Sequence, residues 1–307
     1  MKKKPVRNLA ASVREHLRQL SRRRNEPFDL VLTKYALERL LYRLGRSDFK
    51  DRFVLKGAML FALWTNQPHR PTRDADLLGF GPNDVTGLVE VFRDLCSVAC
   101  EDGLQYPAGS VRGEAHAEDK AYQGVRITMT AMLERARIPV QVDIGFGDVV
   151  TPAPEKITYP ALLDFPAAEL RAYPMYTVVA EKFEAAVKLG EQNGRMKDFY
   201  DLWAMARQFE FEGGTLSSAI RNTFDRRKTT LPAVPPVALP EKFVADAAKQ
   251  RQWSSFLSKS GVVAPTLPEI ARRIETFLSS PTLAAVRREG FRAKWTPPGP
   301  WRDSKSE

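Results

Sequence analysis

Asp74 and Asp76 stand two positions apart in PTRDADLLGF, and Asp143 lies in PVQVDIGFG. On a strand, residues i and i+2 share a face, so the first two carboxylates point the same way. Like charges held that close repel unless a cation sits between them. A divalent ion on the pair would gather triphosphate oxygens and stabilise charge on the transferring phosphorus and the departing pyrophosphate. Asp143, on another strand-like run, is the candidate third carboxylate for a second ion; a salt bridge at a sheet edge accounts for it equally well. Gly57, in FVLKGAMLFAL, precedes Asp74 by 17 residues. It removes a Cβ either where a phosphate approaches backbone amides at a helix start, or where helix and sheet pack closely. Together these residues point to metal-dependent phosphoryl or nucleotidyl transfer.

Two polar residues sit among apolar neighbours further along the chain. Lys182 shares a helical face with Val178, Val179, Ala185 and Ala186, and Asp198 follows in GRMKDFYDLW. The lysine suits a triphosphate or a leaving pyrophosphate, and the aspartate suits orienting that lysine or taking the acceptor hydroxyl's proton. An interhelical salt bridge locking the lobe explains both and fits the pattern slightly better. Arg195, Lys197 and Asp201 share the region, with phosphate contact or helix capping open to each. Arg73 precedes the first carboxylate and therefore faces away from the pair, toward a neighbouring acidic group. His69 and Arg70, in the lead-in loop, are open to phosphate contact or simple solvation.

These residues need a sheet and helices to hold them. Residues 8–24 and Phe28–Leu44 carry helical apolar spacing, the latter with Asp29 as N-cap and Gly45 as C-cap. A third helical stretch is expected over about Phe53–Trp64, a strand over Ala75–Phe80 and a helix over Asp84–Cys100. A polar, glycine-bearing segment follows. VRITMTAML (125–133) and PVQVDIGF (139–146) alternate as adjacent antiparallel strands. The first lobe is expected to end near TPAPEKITYP. Beyond Pro174 the pattern is helical at 177–190, 196–209, 241–258 and 267–279, with a break at PAVPPVALP and a frayed last dozen residues. The expected organisation is a basic helical segment over 1–50, a core over 51–160, a helical lobe over 161–290 and a flexible tail over 291–307.

At 307 residues and 43% apolar content, the chain can bury a substantial core. Cys96 and Cys100, four apart in an apolar helical stretch, suit packing rather than a disulfide, and three histidines supply no zinc cluster. The basic start lacks the apolar core of a secretory signal, and no run is long enough to span a membrane, so a reduced cytoplasmic setting is expected. The net charge of +10 is uneven: residues 1–26 hold nine Lys/Arg against two Glu, RNTFDRRK (221–228) is a second basic cluster, and the tail from Arg287 is basic again. Such a distribution favours a polyanion partner over a solvated surface alone.

VLKGAMLFALW, RPTRDADLLGF, VQVDIGFG and VVAEKFEAAVKLGEQNGRMKDFYDL, in that order across about residues 50–210, resemble the AbiEii-type nucleotidyltransferase toxins of the polymerase-beta-like superfamily. The resemblance implies an α+β fold: a nucleotidyltransferase core with a small mixed sheet, and a mostly helical second lobe. It places Gly57 in the glycine motif that holds phosphates, with Ala58 where the family usually has Gly or Ser. Asp74 and Asp76 become the metal pair, Asp143 the third superfamily carboxylate, and Lys182 and Asp198 the family's lysine and late KD aspartate. It implies Mg2+ (or Mn2+), an NTP substrate, a cognate antitoxin and transfer to a tRNA or other RNA 3′ end. A protein or small-molecule acceptor, or a non-catalytic RNA-binding role, are the rival readings.

Overall fold

The computed structural model describes residues 8–65, 69–119, 122–235 and 239–303. Part of the basic start (residues 1–7), part of the lead-in loop (66–68), part of the proline-rich break (236–238) and the last four residues lie outside them. The chain forms two compact units, Met1–Gly147 with Glu155–Ala172, and Asp148–Pro154 with Tyr173–Glu307.

In the first unit, helix α1 (Leu9–Arg24) buries Val13, Leu17 and Leu20 against α2 (Phe28–Gly45), whose stripe of leucines is buried in turn. The N-cap of α2 is Pro27, not Asp29. Asp29 lies in the first turn, where a carboxylate suits the helix dipole, and its side chain accepts from Arg73 at 2.7 Å. Gly45 is the last residue of α2 rather than its cap. A Cβ there would stand 2.4 Å from the carbonyl oxygen of Glu169, so close backbone approach explains the glycine.

The expected helix over Phe53–Trp64 is instead a strand, β1 (Phe53–Lys56), a turn at Gly57 and one short helical run ending in α3 (Phe61–Trp64). Phe53, Val54 and Leu55 are all buried because β1 is an interior strand with both faces covered, and a continuous apolar run mimics a buried helix. Then come β2 (Asp74–Gly79), α4 (Val85–Ser97, N-capped by Asp84), β3 (Leu104–Gln105), β4 (Arg112–Asp119), β5 (Tyr122–Leu133), β6 (Ala136–Phe146), β7 (Glu155–Tyr159) and β8 (Ala168–Ala172). They form one mixed sheet in the order β3-β5-β6-β2-β1-β8-β7, with β4 paired to β5. Strands β5 and β6 are antiparallel neighbours as expected, and β2 runs parallel to β6. TPAPEKITYP does not end this unit, since its EKITY is β7.

One face of the sheet is apolar, through Ala75, Leu77, Ile127, Met129, Val140, Val142 and Ile144, and α2 and α4 pack against the sheet. A buried ionic network locks α2 in place. Asp102, 1% exposed, accepts from Arg39 Nε at 3.1 Å and from Arg43 Nη1 at 2.7 Å, while Tyr35 donates to its carbonyl. Burying these charges is tolerable only because each is paired and hydrogen-bonded.

The second unit contains α5 (Met175–Leu189), α6 (Met196–Gln208), β9 (Phe211–Glu212), α7 (Gly213–Arg227), α8 (Glu241–Ala245), α9 (Ala247–Ser260), α10 (Leu267–Arg287), β10 (Ala293–Trp295) and β11 (Trp301–Asp303). Helices α5, α6, α7 and α10 pack on one another. Residues expected as a flexible tail supply β10 and β11, which pair with β9 in a small sheet, β11-β10-β9, because Trp295 and Trp301 are anchors. Trp295 is fully buried and donates to the Ala206 carbonyl, and Trp301 donates to that of Phe277. No helix among the described residues is long and apolar enough to cross a membrane.

Candidate functional site

The non-apolar face of the first unit's sheet carries two cross-strand rows. Residues directly opposite on paired strands point to the same side. One row reads Glu114 (β4), Arg126 (β5), Asp143 (β6), Asp76 (β2) and Lys56 (β1); the next reads Arg112, Thr128, Gln141 and Asp74. Asp74 and Asp76 therefore share a face, half-buried, between buried Ala75 and Leu77. Thr72 Oγ1 donates to Asp74 Oδ1 at 2.6 Å, which fixes that carboxylate's rotamer.

Gly57 stands against Asp76. Its φ of 76° and ψ of −158° lie in a region essentially reserved for glycine, and an added Cβ would fall 1.9 Å from Asp76 Oδ2. The glycine thus makes room for the carboxylate, a close approach of turn and sheet. Ala58 opens the short helical run that follows. In the lead-in loop, His69 stacks on Phe61 with ring centroids 3.6 Å apart, and Arg70 is half-buried.

Asp143 sits opposite Asp76 but is tied to Arg126, which donates from Nε to Oδ1 at 2.7 Å and from Nη2 to Oδ2 at 3.0 Å; Gln141 adds a third bond at 3.1 Å. The bond to Asp143 raises the guanidinium's pKa; burial opposes this, while the charges of Asp143, Glu114 and Asp74 reinforce it. Lys56 Nζ lies 3.7 Å from where a Cβ on Gly145 would stand, so its side chain reaches from β1 across β2 to β6. Lys56 was hidden from sequence reading because its segment resembled a helix. As the last residue of a strand opposite Asp76, it belongs to the charged face.

Among the described residues, no group of three His, Cys, Asp or Glu side chains is placed to hold a metal ion. The two-carboxylate set nevertheless fits a hard divalent cation. Magnesium is commonly held by one or two carboxylates completed by substrate phosphates and water, and Asp74 and Asp76 are two half-buried carboxylates on one face.

In the second unit, Lys182 on α5 lies 2.7 Å from Asp198 Oδ1 and 2.8 Å from Asp201 Oδ2, both on α6. Asp201 is fully buried and Asp198 nearly so. Positions 198 and 201 are one helical turn apart, so both carboxylates face α5. Asp201 is the partner that pattern reading left among the capping residues; its i+3 spacing from Asp198 was the available signal.

Arg227, in the basic 221–228 cluster, is an internal structural residue. It donates to Asp148 at 3.1 and 3.0 Å and to Glu184 at 2.9 Å, with Glu181 at 3.4 Å. Burial works against its charge, but the three carboxylates outweigh burial and hold it protonated. Arg226 and Lys228 are the exposed cations of that cluster.

A mixed α+β unit with a strand-borne DxD beside a tight glycine turn is the architecture of a nucleotidyltransferase. The family described as nucleotidyl transferase AbiEii toxin, type IV toxin–antitoxin system, matches residues 39–280, and the chain belongs to that family. No curated protein matches it. Similar solved structures include JHP933 from Helicobacter pylori, at 12% identity and a TM-score of 0.48, covering 84% of this chain and 94% of that one. A second H. pylori protein with a provisional nucleotidyltransferase name has 12% identity and a TM-score of 0.46, covering 85% and 98%. Both are too distant to lend this chain any chemistry.

Proposed function

We propose that the protein is a metal-dependent toxin that transfers a nucleoside monophosphate from an NTP to an RNA 3′ hydroxyl, at the acceptor end of tRNA, and so blocks translation. The observation that carries this reading is the pair Asp74 and Asp76 on one sheet face with Gly57 opened against it. In the reaction, the terminal hydroxyl oxygen bonds to the α-phosphorus, the bond from that phosphorus to the β-bridging oxygen breaks, pyrophosphate leaves, and the hydroxyl proton passes to solvent water. Asp74 and Asp76 are the residues that would hold Mg2+ or Mn2+, which would supply charge neutralisation on the phosphates and a lowered pKa for the attacking hydroxyl. Gly57, Ala58 and Arg70 bind the triphosphate. Within the helical unit, Asp198 orients Lys182, the family's lysine. The setting is cytoplasmic, and a cognate antitoxin encoded nearby restrains the activity.

The test is incubation with each α-labelled NTP and separate RNA, protein and small-molecule pools. Label enters RNA with the intact protein. With D76N it falls by about 10³-fold or more, the loss expected when several kcal/mol of charge stabilisation are removed. Label appearing only in the protein pool overturns the RNA acceptor, and undiminished incorporation by D76N overturns the metal pair.

A further inference from the structure

We propose that Asp143 acts as the anchor for Arg126 rather than as a metal ligand, and that the anchored guanidinium binds a phosphate group on the face that carries Asp74 and Asp76. This rests on the nucleotidyltransferase reading and deepens it. The Asp143 carboxylate already accepts three hydrogen bonds, two from one guanidinium in fork geometry and one from Gln141. Such charge-assisted, bidentate pairs are among the stronger polar contacts a protein makes, and ligating a cation would mean breaking this one.

Arg126 is pinned on two sides. Nε and Nη2 face Asp143, and Nη2 also lies 3.0 Å from His116 Nε2, a contact that is a hydrogen bond when that ring nitrogen is the acceptor. Nη1 makes no hydrogen bond among the described residues, and the side chain is 26% exposed, so one edge of the fork faces outward. Asp143 is opposite Asp76 in register, which sets Arg126 two strands from the carboxylate pair and on the same face. A planar guanidinium with its orientation fixed and two N–H groups presented is pre-organised for phosphate oxygens. The phosphate belongs either to the NTP or to the RNA end, and separate Michaelis constants distinguish them.

The experiment compares D143N, R126A, R126K and R126A/D143N with D76N, using Mn2+ binding by water-proton relaxation in the presence of an α,β-methylene NTP, and steady-state kinetics. D143N keeps Mn2+ affinity within about 2-fold of the unaltered protein, while D76N loses it. R126A and D143N each raise KM for one phosphate-bearing substrate about 10-fold, the scale of one charge-assisted hydrogen bond, with a smaller change in kcat. The double variant is no worse than R126A, because both changes remove one interaction. R126K, which keeps the charge but not the fork, recovers part of the loss. Mn2+ binding weakened about 10-fold by D143N, effects that multiply in the double variant, or R126K with an unchanged KM would each overturn the proposal. Thermal unfolding of each variant shows which remain folded, and R126K serves if D143N does not. Failure of the parent reading looks different: the intact protein labels no acceptor pool, while the Mn2+ titration of D143N still reports on Asp143.

Discussion

At the scale of single residues, Gly57 and Lys182 make the sharpest claims. Gly57→Ala must place a Cβ against Asp76 Oδ2 and adopt a backbone conformation that L-residues avoid. The backbone cost alone is about 1–3 kcal/mol, and the displaced carboxylate adds a loss of activity beyond it. G57A should therefore lower incorporation at temperatures where circular dichroism still shows it folded; a variant with full activity would remove Gly57 from the site. Lys182→Ala leaves two nearly buried carboxylates with their shared cation gone, at a cost on the order of 3–5 kcal/mol. D201N keeps the hydrogen-bonding shape and should cost less in urea unfolding. If K182A unfolds no earlier than the unaltered chain, the triad is not holding α5 to α6. The DxD pair and the Lys182–Asp198 pairing were both legible in the sequence, because strand and helix periods dictate which side chains share a face. Arg126 was not, because nothing in VRITMTAML says that its arginine stands opposite Asp143; that needs the register of β5 on β6.

At the scale of elements, the buried ionic network of α2 sets a pH dependence. Glu38 is buried beside Arg39 and accepts from the Leu162 amide at 2.7 Å. Burial raises its carboxyl pKa from 4.5 to about 7, even though the Leu162 amide and Arg39 pull it down. A carboxyl whose pKa rises on folding contributes its full stability below the unfolded value and loses that contribution as pH rises through the folded one. Stability from this group should therefore fall between about pH 4.5 and 7, by up to about 3 kcal/mol on a scale of 1.36 kcal/mol per unit. In E38Q, whose neutral amide stands in for the protonated carboxyl, that slope should vanish, so the urea midpoints of the two proteins separate with rising pH as the unaltered protein loses stability that E38Q keeps; parallel profiles would show that Glu38 does not titrate in this window. The sequence offered α2's apolar stripe plainly, but its buried Glu38, Arg39 and Arg43 look like ordinary solvated charges until Asp102 and the 162–166 loop arrive from elsewhere in the chain. Strand β4 stayed hidden for a related reason. Its residues from Arg112 to His116 show no buried position, so no apolar alternation marked it. Helix α10 runs six residues past the point where Pro281 signals a stop, since the proline is itself buried in the helix's packed face.

At the scale of the whole molecule, the net charge of +10 does not translate into a uniform RNA-binding surface. Arg39 and Arg43 are consumed by Asp102, and Arg227 by Asp148, Glu181 and Glu184. Arg22, Arg23 and Arg24, in the last turn of α1, are exposed, as are Arg226, Lys228, Arg287 and Arg288. Phosphate contacts release counterions, so each exposed cation that meets RNA steepens the dependence of log affinity on log salt by about 0.7–0.9. R22A/R23A/R24A should flatten that slope by about 2 in fluorescence anisotropy with a tRNA, and weaken binding most at low salt. R227A should leave the slope unchanged and instead lower the melting temperature, because Glu184, 2% exposed at its side chain, loses its cation. The opposite result, a slope insensitive to the α1 arginines and reduced by R227A, would mean that RNA is bound by charges the fold otherwise keeps for itself.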